Sequence, residues 1–460
     1  MAERSTRPAS AGGPAGPQEP EQLRAVLRSP GYRKALIFSG LIGIPVSLAA
    51  FWLLAALHEL EHLLWSSLPR ALGWHTPPAW WPLPLLLIAG IVVGAVVTHL
   101  RGAGGHIPAG GLHAGATAPA ALPGVVLAAA GLPLGAVLGP EAPLIALGGG
   151  LALLFRDLAR APETPRSNAL LGAAGAAAAV AVIFGNPLVA AVLLIEVAGV
   201  GGPQLVAVML PALLSSGVGS LIFTGLGRWT GLKTGSLALD IAGPVPRLDI
   251  GDVLWAVVLG VVVGALVRLA VVGGRLTAAF VAPRPFRRTV ACAVAAGGCA
   301  ALYSVATGRS PAEAALSGQA TLAHMASTPA AWSIGALLGL LVFKTAAYAL
   351  CLGSLRGGPI FPALCLGGAA GLLLSPLPGL GVVPGTAAGV AAAAVSALRL
   401  PVSSVVLVVL LLGIPGMTPV VILAAVVAFV TTELMPTGPA LEPAAGAPSG
   451  HGDDSTTAKG

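Results

Sequence analysis

A frame of the form G-P-x-x-P-x-x-x-L-G-G occurs twice in the chain, once from Gly139 to Gly149 and again from Gly358 to Gly368. The copies lie 219 residues apart (358 minus 139). A second matched pair, Pro187-Leu188 leading into Val192-Leu193 and Pro401-Val402 leading into Val406-Leu407, recurs in the same order at an offset of 214 (401 minus 187). Two ordered matches at nearly one offset mark a duplication, and a duplication constrains architecture before any single residue does. The chain is therefore read as two related halves. Sequence alone leaves open whether they run parallel or inverted.

The halves belong in lipid. Of 460 residues, 56% are hydrophobic and 9% charged, more apolar surface than a water-soluble core can hide. Apolar spans of about 20 residues are expected near 35–57, 80–100, 168–183, 204–226, 253–275, 289–307, 331–352 and 415–434. The stretches 117–155, 186–200, 357–380 and 386–413 are interrupted too closely by Gly and Pro for straight spans, and are expected to be half-helices meeting inside the membrane. Interrupted segments at matching places in two halves point to a transport site at the repeat interface. Four units follow: a disordered cytoplasmic tail (1–33), a first membrane repeat (34–226), a second (227–436) and a disordered tail (437–460). Basic residues Arg24, Arg28, Arg33 and Lys34 ahead of the first span place the N-terminus inside. No cleavable signal peptide is visible. The net charge of +7 is scattered among apolar spans without a basic aromatic face, which excludes a nucleic-acid partner.

The chemistry of the interrupted segments suits an anion. A helix N-terminus offers unpaired N–H groups and a partial positive charge, and so holds an anion without the fixed cation that would slow its release. Pro108, Pro143, Pro187 and Pro362 are the expected helix starts. Glu141 is the only Asp, Glu, Lys or Arg between Arg101 and Arg156 and sits inside the first copy of the frame. An intramembrane carboxylate there competes with an anion for the same N–H groups when ionised and leaves when protonated. The alternative is a Glu that caps its own helix. Glu196 stands equally alone and is read either as a buried structural carboxylate or as part of a transport route. Lys344 and Arg399 are expected to pair with carboxylates or snorkel to the interface.

On these residues the chain resembles the CLC family of chloride channels and chloride/proton exchangers, over roughly residues 35–435. The family's G-R-E-G-P is similar to Gly139-Pro140-Glu141-Ala142-Pro143, which implies Glu141 as the gating glutamate beside Gly139, Ala142 and Pro143. G-x-F-x-P resembles Gly358-Pro359-Ile360-Phe361-Pro362, with Pro359, Ile360 and Phe361 at the anion. N-A-P-L resembles Gly185-Asn186-Pro187-Leu188, and R-x-P matches Arg399-Leu400-Pro401. G-S-G-I-P becomes Gly104-Gly105-His106-Ile107-Pro108, so Gly105 replaces the serine that contacts the anion and His106 takes a glycine position. Val197 stands where exchangers carry a proton-relaying glutamate, leaving Glu196 as its neighbour, and the C-terminal pore tyrosine has no counterpart among Tyr32, Tyr303 and Tyr348. The resemblance implies an all-α integral membrane fold, an inverted repeat with broken and re-entrant helices, and a homodimer in the plasma membrane without C-terminal regulatory domains. The implied function is passage of chloride or a similar small anion across the bilayer, gated by Glu141; Val197 and the missing serine and tyrosine favour passive conduction, with chloride/proton antiport as the alternative. No enzyme activity and no cofactor is expected.

A rival from another class rests on His58-Glu59-Leu60-Glu61-His62, which satisfies H-E-x-x-H, the helical zinc motif of metalloproteases. It requires a distant third ligand, and it falls at the end of the first span beside Trp65, Trp74, Trp80 and Trp81, the composition of a membrane interface. No metal is therefore expected. Cys292, Cys299, Cys351 and Cys365 lack ligand spacing and are expected as small buried hydrophobes.

Overall fold

The computed structural model describes residues 19–112, 117–161, 163–198, 202–231, 239–243 and 247–441. Among them the regular structure is helical. The first half contains α1 (Glu19–Arg28), α2 (Pro30–His62), α3 (Leu68–Ala71), α4 (Pro82–His99), α5 (Leu122–Ala129), α6 (Glu141–Leu158), α7 (Pro165–Phe184), α8 (Pro187–Ala198) and α9 (Gly202–Thr230). The second contains α10 (Ile250–Val281), α11 (Pro285–Thr307), α12 (Gln319–Ser327), α13 (Ile334–Ser354), α14 (Ile360–Leu374), α15 (Val382–Leu398), α16 (Pro401–Leu412) and α17 (Thr418–Leu434).

Among the described residues, eight segments are long and apolar enough to cross a bilayer: Pro30–Ala71, Pro82–His99, Ser167–Phe184, Leu205–Thr230, Ile250–Val281, Pro285–Thr307, Ile334–Ser354 and Pro415–Leu434. Their outward side chains are those a lipid face requires, such as Leu254, Leu269 and Leu276 on α10, each more than half exposed. The interrupted segments fold as short helices instead. At about 1.5 Å per residue, α14 reaches about 22 Å and α16 about 18 Å, short of a hydrocarbon core of about 30 Å. Such half-helices survive only inside protein, and α14 and α15 are buried along almost their whole length.

The duplicated frame builds the same contact twice. A β-carbon on Gly148 of α6 would run into the carbonyl of Gly175 on α7, and one on Gly367 of α14 would run into that of Gly389 on α15. In each half the first glycine of the L-G-G triplet thus lets two helices approach to backbone distance, the small-residue packing that replaces hydrophobic association in lipid. Gly139 and Gly358, equivalent residues of the two copies, pair with each other: Gly139 N–H donates to Gly358 O at 2.8 Å and Gly358 N–H to Gly139 O at 2.6 Å. Reciprocal bonds between equivalent residues are the mark of a local two-fold, and the all-helical chain is an inverted repeat around it.

Several boundaries differ from those read in the sequence. The stretch 1–33 is not wholly a tail, because α1 and the first turn of α2 are formed within it. Ser29 caps α2 by accepting from Tyr32 N–H, and the Tyr32 hydroxyl donates to Ala207 O on α9. The division after 226 cuts α9, which continues until Gly231 takes up φ +67° and ends it. Residues 437–441 are likewise engaged: Arg275 donates to Thr437 O, and Leu441 packs on the core. Residues 442–460 lie outside the described ones. Pro143 and Pro362 are third residues of their helices, which begin at Glu141 and Ile360; a missing N–H still costs nothing in a first turn. The crossing geometry makes a prediction. Gly367→Val should destabilise the protein by about 3 kcal/mol or more, because backbone faces backbone and cannot yield. Gly335→Val on α13, with open space around it, should not; thermal loss of the monodisperse detergent-solubilised protein on size exclusion distinguishes them.

Candidate functional site

One face of α13 organises the centre of the molecule. Lys344, Tyr348 and Cys351 follow one another at helical spacing and are all fully buried. The Tyr348 hydroxyl donates to Pro359 O at 2.7 Å, just ahead of α14. Cys351 Sγ accepts from Val137 N–H at 3.4 Å, in the turn ahead of α6. The Lys344 ammonium donates to four carbonyls in one loop, those of Glu313, Ala314, Ala315 and Leu316, at 3.0–3.3 Å. It neither pairs directly with a carboxylate nor snorkels, as the sequence led us to expect, because consecutive carbonyls supply the oxygens a buried ammonium needs. The four-carbonyl cradle ties the segment ahead of α12 to the same helix face.

With both turns fixed, the N-termini of α6 and α14 converge at the Gly139–Gly358 bridge. Glu141, first residue of α6, is fully buried and reaches across the repeat interface. Its Oε1 accepts from the backbone N–H groups of Ile360 and Phe361, both at 3.1 Å. These are two of the unpaired donors every helix start presents, and α14 contributes its dipole to the same point. Oε2 is buried without a donor among the described residues. A β-carbon on Gly139 or Gly358 would collide with this carboxylate, so both glycines are required for the side chain to lie there. No lysine or arginine among the described residues forms an ion pair with Glu141. The carboxyl group is thus met by backbone dipoles, an arrangement suited to any small anion of similar size.

The other expected residues fall as follows. Gly139, Pro143, Pro359, Ile360 and Phe361 are buried around the carboxylate, Ala142 is half-buried on the first turn of α6, and the Phe361 ring lies 6.2 Å from that of Phe184. Pro359 also lines a cavity of ≈ 390 Å³ whose wall includes Pro108. Pro108 does not start a helix: it opens a three-residue 3-10 turn, Pro108–Gly110, that ends as Gly111 takes φ +87°. A single turn has no accumulated dipole, so the helix-terminus argument for Gly105, His106, Ile107 and Pro108 does not hold over the described residues; 113–116 lie outside them. His106 is exposed, and Ile107 packs against a core cluster.

Glu196 holds a helix start. It accepts from Val402 N–H at 3.1 Å, from Ser403 N–H at 2.7 Å and from the Ser403 hydroxyl at 2.5 Å, capping α16 from α8. Val197 is partly buried against the main core. Arg399 pairs with Glu433 through two bonds of 2.7 and 2.6 Å. The metalloprotease reading finds no support: His58, Glu59 and His62 are exposed, and no group of three ligand residues able to hold a metal exists among the described residues. Cys292, Cys351 and Cys365 are buried free thiols and Cys299 is half-buried. Sequence reasoning missed Tyr348, whose only signal was a lone tyrosine one turn after a lone lysine in an apolar helix.

Comparison with known proteins bears on this geometry. Residues 109–433 match the family model of the voltage gated chloride channel. The ion-transport protein named YfeO from Escherichia coli is 35% identical over 158 residues, 33% of this chain and 36% of the relative. Its Salmonella newport counterpart is 32% identical over 155 residues, 33% of this chain and 37% of the relative. The chain thus spans about a third of the length of the curated relatives it matches. The fold is similar to a slow cyanobacterial Cl−/H+ antiporter at a TM-score of 0.71 and 17% identity, covering 87% of this chain and 94% of that one. It is also similar to a CLC-type fluoride/proton antiporter at a TM-score of 0.67 and 21% identity, covering 86% and 95%. With the matched region extending over more than half its length, the chain is a multi-pass membrane protein that belongs to the voltage gated chloride channel (CLC) family.

Proposed function

We propose that the protein carries chloride or a similar small anion across the membrane, and that Glu141 is its gate. One observation carries this reading: the Glu141 carboxylate occupies the two N–H groups of Ile360 and Phe361 from the opposite repeat. An anion arriving from either side must displace it, and protonation, by removing its charge, releases it. The work is transport rather than catalysis, and it needs no cofactor. Each copy of the chain has its own site, in keeping with a homodimer in the plasma membrane with the basic N-terminal segment inside.

Passive conduction is the first reading. Val197 cannot carry a proton, and Glu196 is held by three donors. Obligatory exchange for protons is the second, favoured by two solved structures of similar fold being antiporters. Chloride efflux from proteoliposomes with simultaneous recording of internal pH separates them. Passive conduction predicts flux without proton movement, and uphill proton transport driven by a chloride gradient would replace it with exchange. Glu141→Gln should remove the dependence of flux on pH in either case, because the substituted amide does not titrate in the working range; a pH profile unchanged in this variant would sink the gate assignment.

Tyr348 is a positioning residue for the same amides. Tyr348→Phe leaves Pro359 O without its donor, a loss of about 1 kcal/mol, and loosens the turn that aims Ile360 and Phe361. The apparent chloride affinity should fall roughly threefold to tenfold, the range such a loss corresponds to, with the pH profile kept. Rates measured over a chloride series at two pH values give both quantities.

A further inference from the structure

The turn between α10 and α11 gathers positive charge that nothing around it balances. Arg284, Arg287 and Arg288 stand within one turn at the start of α11, at the spacing that makes like charges neighbours and sets them repelling. Arg284 and Arg287 are exposed, and neither pairs with a carboxylate among the described residues. Arg288 is held in place: its guanidinium lies over the Phe280 ring, 4.5 Å from the centroid, and donates to Phe280 O. The ends of α4 and α13 meet this turn, since a β-carbon on Gly94 would touch Phe286 and one on Gly353 would touch Ala278 N. The chain has no Asp or Glu at 62–140, 253–312 or 314–432. All four helix ends gathered here are therefore free of carboxylates.

The same turn ends a lipid-facing stripe. Leu269, Leu276 and Phe280 share one face of α10 and are exposed by 59%, 57% and 52%. At about 1.5 Å per residue they cover about 16 Å, roughly half of a hydrocarbon core of about 30 Å. One leaflet's depth of apolar side chains thus leads up to three guanidiniums, and Phe280 is both its last member and the seat of Arg288. The leaflet is the one on the side of the basic N-terminal segment. α4 and α11 run antiparallel, with Gly94 against Phe286 and Gly297 against Pro82, and Trp81, ahead of α4, donates to Leu64 O at the far end of the α2 span. The start of α11 therefore lies on the same side as the start of α2.

We propose that the α10–α11 turn binds an anionic glycerophospholipid of that leaflet, its headgroup phosphate on Arg284, Arg287 and Arg288 and an acyl chain along Leu276 and Leu269. Charge and shape complement each other here: a net-negative headgroup supplies the missing counter-charge, and the chain covers the stripe that runs from it. A zwitterionic headgroup brings its own cation to the same guanidiniums, and a soluble anion leaves the stripe unused. The proposal is independent of which ion the protein carries.

The test measures binding of acyl-labelled phosphatidylglycerol to the full-length protein in nonionic detergent, by fluorescence anisotropy with unlabelled competitors. Phosphatidylglycerol should compete about tenfold better than phosphatidylcholine, or more. Arg284→Gln/Arg287→Gln should bring that ratio to about threefold or less, and Arg284→Lys/Arg287→Lys, which keeps the charge, should preserve it. Arg70→Gln/Arg228→Gln removes two exposed charges from the opposite side, because α9 rises beside α2 with Tyr32 at Ala207 and Phe51 at Phe223. It should leave the ratio unchanged. Equal competition by the two lipids in the wild type overturns the proposal. So does a preference that survives Arg284→Gln/Arg287→Gln, or one that falls equally in both glutamine double variants. Glycerol phosphate competing as well as phosphatidylglycerol would give the turn to a soluble anion and overturn the lipid assignment.

Discussion

The reciprocal backbone pair between Gly139 and Gly358 is the contact on which the rest of the centre depends. Two hydrogen bonds between equivalent residues hold the copies of the frame back to back, so that α6 and α14 both begin at one point inside the protein. Neither helix could end there in lipid, because its first N–H groups would be unpaired in hydrocarbon. The start of α14 is completed by the other half: the side chain of the first residue of α6 reaches its first donors. The asymmetry between copies, Glu141 in one and Ile360 in the other, converts a structural two-fold into a site with one carboxylate.

Charge is distributed with the same economy. At the centre, the negative group is met by peptide dipoles alone, so an anion taking its place is held without a fixed cation that would trap it. Full cations lie elsewhere and are held by carbonyls: Lys344 by four in one loop, Arg268 and Arg275 by those of 109 and 435–437. Because carbonyls satisfy hydrogen bonding without neutralising charge, these side chains anchor backbone and keep their field. Glu196, by contrast, accepts hydrogen bonds from the first turn of α16.

Much of this was legible in the sequence because the determinants are local. The repeated frame announced both the duplication and the place where the halves meet, and the eight long spans followed from apolar length alone. The crossings at Gly148 and Gly367 were present as the L-G-G triplet, although their role as contact points was not readable without the partners Gly175 and Gly389. What could not be read was tertiary. Nothing near Tyr348 reveals that its hydroxyl will meet Pro359, and nothing around Lys344 reveals four converging carbonyls. The Pro108 turn misled for the opposite reason: proline after glycines is a good helix start, but Gly110 and Gly111 follow and stop it after one turn.

The central claim is that the Glu141 carboxylate stands in the place of the transported anion. Crystals of the wild type and of Glu141→Ala soaked in bromide, with anomalous scattering collected at the bromine edge, test it directly. A bromide peak within hydrogen-bonding distance of the Ile360 and Phe361 amides in the variant, and none at that point in the wild type, is the predicted result. Bromide at that point in both proteins, or in neither, would contradict it.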